Sequence, residues 1–124
     1  MREILFRGQT RSRNEWLEGS LIFYPDVNRA FISLGEYKGI GGFLEVKKDT
    51  VGQYTGLTDK NGKKIFEGDI LENFIGQKCA VTYESGYYYP LIAFPEFRCW
   101  STSECVVIGN IHDNPELLKV PKEE

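Results

Sequence analysis

Histidine is nearly missing from this chain of 124 residues, with His112 its one example. That removes most metal-binding and general-base chemistry, which relies on clustered imidazoles. No apolar run approaches the roughly 20 residues of a membrane-spanning helix. The start, MREILFRGQTRSR, has too short an apolar stretch for a secretory signal, so the expected location is the cytoplasm, away from membranes. Cys79, Cys99 and Cys105 form an odd set without CxxC spacing, which fits a reducing compartment better than a disulfide framework. They read as small buried apolar residues. A basic excess is lacking too, since the formal net charge is -3. The first 64 residues carry 11 Lys and Arg against 8 Asp and Glu, and the remainder 4 against 10. Nucleic-acid binders concentrate positive charge on one surface, so any such contact must come from the first half.

What is present suits one compact domain of ordinary size. A hydrophobic fraction of 41% with 27% charged residues argues against wholesale disorder. Subdomains over residues 1–58 and 59–124 are compatible with this length, and no repeat or low-complexity linker separates them.

The pattern along the chain is mostly β. EILFR and WLEGSLIFY read as a first hairpin with its loop near Thr10 to Asn14, and Trp16, Leu21 and Phe23 fall among polar neighbours as in a strand. Pro25-Asp26 signals a turn before a short strand, NRAFISLG, that ends at Gly35. GEYKGIGG holds four glycines in eight positions, which excludes a helix and predicts a flexible loop before the strand FLEV. Further on, ILENF, KCAVTY, YYYPLIAF and CVVIGNI are spaced like the strands of a small SH3-like barrel, with Pro90 limiting its segment to an edge or bulge. Asn114 followed by Pro115 predicts a short C-terminal helix, capped by Asn114 and packing Leu117 and Leu118 on the barrel.

The stretch VGQYTGLTDKNGKKIFEGDI, residues 51 to 70, poses the main chemical question. A phosphate loop needs GxxxxGK[ST] ahead of a helix. Here five residues separate Gly56 from Gly62, Lys64 stands where Ser or Thr belongs, and no helix pattern follows. A calcium loop starting at Asp59 would need Gly at its sixth position and Glu at its twelfth, where Lys64 and Ile70 stand. Turn chemistry accounts for the stretch better: Asn61-Gly62 tolerates positive φ, and Asp69 can take backbone amides to fix a bend after Gly68. Glu67 with Asp69, or His112 with Cys99 or Cys105, would be the residues of a small hydrolase, but neither pair makes a recognisable catalytic constellation. The run Tyr87-Tyr88-Tyr89 is the best recognition candidate, because Tyr87 and Tyr89 share one face of a strand; Trp100 is the natural further anchor.

MREILFRG, EWLEGSLI, VGQYTGLTDKNGKKIFEGDI and VVIGNIHDNPELL, in that order along the whole chain, resemble the YopX family of phage and prophage proteins. The resemblance implies a small, mostly β protein made in a bacterial host cytoplasm, and it implies no particular enzymatic activity. The family's motif positions here run over Gly52 to Leu57 and Ile111 and Leu117, and include Gly56, Asp59, Gly62, Gly68, Asp69, Gly109, Asn110, Asn114 and Pro115. Most are turn, bend and cap types. The expected role is therefore a non-catalytic accessory protein without a cofactor, binding a host or phage protein through Tyr87, Tyr89 and Trp100, with self-association as a further route. The alternative is a nucleic-acid binder using Arg11, Arg13, Lys60, Lys63 and Lys64 against phosphates.

Overall fold

The computed structural model describes residues 3–37, 40–84, 86–91 and 100–119. The chain divides into two compact units, Met1–Gly56 and Leu57–Glu124. In the first, β1 (Phe6–Gln9), β2 (Trp16–Tyr24), β3 (Arg29–Tyr37) and β4 (Ile40–Val46) follow one another as antiparallel neighbours. A single 3-10 turn, η1 (Lys48–Thr50), leads into β5 (Gly52–Thr58), which returns to the far side of β1 and gives the order β4-β3-β2-β1-β5.

Alternation along β3 decides the faces of this sheet. Ala30 and Ile32 point to one side and are buried with Val46, against Phe6, Leu17, Leu21 and Val51. Removing such a side chain from water is worth about 1.5–3 kcal/mol. Gly8 lets Val46 close over β1, since a Cβ at Gly8 would lie 2.8 Å from a Val46 methyl carbon. Leu21 joins the core as the strand pattern predicts. Trp16 instead lies on the opposite face under the Arg7 guanidinium, 4.9 Å from its ring centroid.

The glycine-rich segment departs from the expected flexible loop. Gly35 pairs with Gly42 and Glu36 with Gly41, so β3 runs on to Tyr37 and β4 begins at Ile40. A register shift between Ser33 and Gly35, with φ of 78° at Gly35, absorbs the irregularity as a bulge. Glycine disfavours a helix there, but the ladder needs only backbone groups.

In the second unit, Leu57 and Thr58 end β5, and a tight loop leads to β6 (Lys64–Phe66), its neighbour in the strand order. β7 (Asp69–Glu72) is the centre of a three-stranded antiparallel sheet, between β8 (Lys78–Ala80) and β11 (Val106–Asn110). β9 (Thr82–Glu84) and β10 (Tyr87–Tyr89) form a separate two-stranded ribbon. Ile65, Leu71, Val81 and Cys105 are buried together, with Tyr88, Leu91, Trp100 and Val107 packed around them.

Among the described residues no closed SH3-like barrel is found. KCAVTY is not one strand: Val81 turns into the core between β8 and β9, and there the chain leaves one sheet for the other. The expected C-terminal helix is a single 3-10 turn, η2 (Pro115–Leu118), lying against β8. Asn114 does not cap it, because its side-chain oxygen accepts from the Asn110 amide at 3.2 Å. Leu117 is half-buried there, whereas Leu118 stays exposed.

Candidate functional site

The opening of the second unit is built as a turn. Asp59 Oδ1 accepts from the amides of Asn61 and Lys63, at 2.8 and 2.9 Å, and Oδ2 accepts from the amide of Val107. The Asp59 N–H donates to the Lys63 carbonyl, and Gly62, at φ 83°, returns its own N–H to the Asp59 carbonyl. Burial pushes the Asp59 carboxyl up, but the amides of Val107, Lys63 and Asn61 outweigh it and hold the group below its ordinary range.

The same loop occurs a second time. Asn73 Oδ1 accepts from the amides of Ile75 and Gln77, the Asn73 N–H donates to the Gln77 carbonyl, and Gly76 at φ 82° donates back to Asn73. Both are five-residue hairpin loops closed by an Asp or Asn side chain and a left-handed glycine. Their side-chain oxygens accept backbone amides, which accounts for DKNG as turn chemistry.

The remaining motif residues also serve the backbone. Asp69 is buried and takes the Phe66 amide at 2.7 Å, while Gly68, at φ 93°, donates to Val81 and accepts from Ile111. Gly56, at φ 86°, lies on β5 where the two units divide. Asn110 Oδ1 takes the amides of His112 and Asp113, and Gly109 leaves room for Asn114, whose Oδ1 would be 2.5 Å from an added Cβ. Pro115 opens η2. Cys105 is buried in the core and Cys79 half-buried, where burial pushes its thiol up; Cys99 lies outside the described residues. Among the described residues no group of three or more His, Cys, Asp and Glu could hold a metal ion.

Two aromatic surfaces stand out. On the ribbon, Tyr87 and Tyr89 pair with Glu84 and Thr82 and are 54% and 40% exposed, while Tyr88 turns to the core and meets the Tyr83 ring at 5.0 Å. Trp100 is half-buried against that core. In the first unit the outer face of β2, β3 and β4 carries an array that the sequence reading missed. Phe31 makes edge-on contacts with Tyr24 at 5.6 Å and Phe43 at 5.4 Å, and Arg29 lies 5.3 Å over its ring. Arg29 also grips Glu45 with two nitrogens, at 3.0 and 2.8 Å, and that hydrogen bonding holds the Glu45 carboxyl below its ordinary range. Strand spacing alone hides this array, because it depends on the register that sets Ile22 and Glu45 beside Phe31.

Basic residues are scattered in the second unit, where Lys60 and Lys63 are exposed and Lys64 half-buried. In the first they converge. Arg11, from the β1–β2 loop, meets Lys47 and Lys48 around η1, and with Asn28, Asp49 and Thr50 they line an open pocket of about 530 Å³. Thr50 Oγ1 donates to the Lys47 carbonyl and accepts the Gln9 amide, which fixes η1 against β1. Arg13, exposed in the same loop, lies outside the pocket lining. The Lys47-Lys48 pair is visible in the sequence, but only folding shows that Arg11 joins it.

The class defined by this fold is a small, mostly antiparallel β protein of two units, with its signature residues spent on turns. The chain matches the family described as YopX protein over residues 5–119, nearly its whole length, and it belongs to the YopX family. It is similar to a solved structure described as that of protein EF1440 from Enterococcus faecalis, with 29% identity and a TM-score of 0.55 over 96% of this chain and 100% of that one. No curated protein matches the sequence. Among the described residues no helix is long and apolar enough to cross a membrane.

Proposed function

We propose that this YopX protein is a non-catalytic accessory protein, encoded by a phage or prophage, that works by binding another protein through exposed aromatic side chains. The observation that carries the reading is the Tyr24–Phe31–Phe43 array, in which Tyr24 and Phe43 are 47% and 53% exposed although each meets Phe31 edge-on. Scattered apolar side chains on a surface need no explanation, but a contiguous aromatic group across three strands does. Large rigid rings beside an arginine supply much of the energy at protein interfaces, because they bury wide area at small cost in side-chain entropy. Tyr87 and Tyr89 offer a second surface of the same kind. Self-association through either face is part of this reading.

The test compares the full chain with a Tyr24→Ser/Phe43→Ser variant and a Tyr87→Ser/Tyr89→Ser variant. Each is used for affinity capture from host cells with and without nuclease, and light scattering gives the oligomeric state. A protein retained after nuclease, or a dimer, that is lost in one variant while circular dichroism is unchanged supports the reading. Material that disappears with nuclease, or that both variants retain as the parent does, overturns it.

A further inference from the structure

We propose that the pocket formed by Arg11, Lys47 and Lys48 binds phosphate groups. These cations lie apart from the aromatic faces and are held in a way that leaves their charge available. Two cations elsewhere are paired with carboxylates: Arg29 with Glu45 at 2.8 Å, and Lys78 with Glu72 at 3.5 Å. In the pocket the partners are neutral. Lys47 Nζ donates to Gln9 Oε1 at 3.3 Å and to Asn14 Oδ1, and Lys48 Nζ donates to Asn28 Oδ1 at 3.1 Å. Amide oxygens aim an ammonium without cancelling its charge. The Arg11 side chain makes no hydrogen bond to another described residue, and the carboxylate beside it, Glu45, is occupied by Arg29. Among the described residues the lining sets one acid, Asp49, against three cations.

Three positive charges, Arg11 from the β1–β2 loop and the adjacent Lys47 and Lys48, thus converge on one open concavity, as a multiply charged oxyanion requires. The chemistry also limits the ligand. Among the described residues no aromatic or large apolar side chain lines the pocket, so none of them would grip a base or another ring. Recognition is of the phosphates themselves. A free pyrophosphate and the backbone of a single nucleic-acid strand share this chemistry.

The full chain is titrated with inorganic pyrophosphate, followed by amide NMR shifts, and with a fluorescent single-stranded oligonucleotide, followed by anisotropy. Shifts centred on residues 11, 28 and 47–50 are expected in either case. Arg11→Ala should weaken binding about tenfold, as loss of a charged hydrogen-bond donor does. Lys63→Ala, which lies in the other unit, should leave it unchanged. If the source is a nucleic-acid strand, the oligonucleotide binds more tightly than pyrophosphate. Its affinity then falls about 20-fold between roughly 50 and 200 mM salt, as release of counterions by three cations predicts. If pyrophosphate binds as tightly, the site serves a free phosphorylated ligand. No binding of either probe at about 50 mM salt overturns the proposal. So does an Arg11→Ala loss no larger than that of Lys63→Ala.

Discussion

Asp59 Oδ2 accepts the backbone N–H of Val107 at 2.9 Å, across 48 positions of sequence. One buried carboxylate thereby closes its own hairpin loop and ties that loop to β11. Its displaced pKa gives the link a pH signature. Because the folded-state pKa lies below the unfolded one, the stabilisation is complete above the unfolded value, near 3.9, and is lost as pH falls through the depressed folded value. Asp59→Asn should lower stability at neutral pH by on the order of 1–3 kcal/mol, since one oxygen can no longer accept. Urea midpoints from pH 7 down to 2 should fall less steeply in the variant than in the parent. Parallel curves would show that Asp59 titrates alike in both states.

Gly109 and Asn114 should behave as a coupled pair. A methyl at Gly109 would force Asn114 off the Asn110 amide, and overpacking of this kind costs about 1–3 kcal/mol. In a double-mutant cycle Gly109→Ala should cost less in an Asn114→Ala background. Additive losses would remove the steric explanation.

Gly19 and Gly42 should respond in opposite ways to alanine. A Cβ at Gly19 would lie 2.1 Å from the Ser33 carbonyl oxygen, a backbone atom that cannot move without parting β2 from β3. At Gly42 nothing lies within 4 Å. Thermal melts should show a large loss for Gly19→Ala. For Gly42→Ala they should show no loss, or a gain of up to about 1 kcal/mol from a less flexible unfolded chain.

The twin loops predict matched costs. Gly62 and Gly76 have almost the same left-handed backbone, φ 83° and 82°, with open space where a side chain would go. Alanine should cost about 1–2 kcal/mol at each, and asparagine less, because its side chain suits that conformation. Denaturant midpoints for the four variants test this, and a substantially larger loss at one site would show that the loops differ in more than sequence.

Much of this was legible beforehand where the signal is local. DKNGK carries an Asp, a glycine needing positive φ and exposed lysines, and they fold as that chemistry requires. Tyr87 and Tyr89 share a face because strand side chains alternate. Illegible were features that depend on which strand lies beside which. KCAVTY reads as one strand, yet at Val81, buried with Leu71 and Cys105, the chain passes from the β7 ladder to the β9–β10 ribbon, its N–H still donating to Asp69 and its carbonyl accepting from Gly68. Asn114 reads as a helix cap, yet its oxygen takes the Asn110 amide in the space that Gly109 leaves.

By itself the sequence determined the β class, the turns and the family, because alternation, left-handed glycines and Asp or Asn side chains act within a few residues of themselves. Tertiary structure decided the surfaces. Phe31 lies between Tyr24 and Phe43 only through the register of three strands, and Arg11 reaches Lys47 and Lys48 only because the β1–β2 loop packs beside η1. Both depend on pairings between distant residues, which no short stretch of the chain encodes.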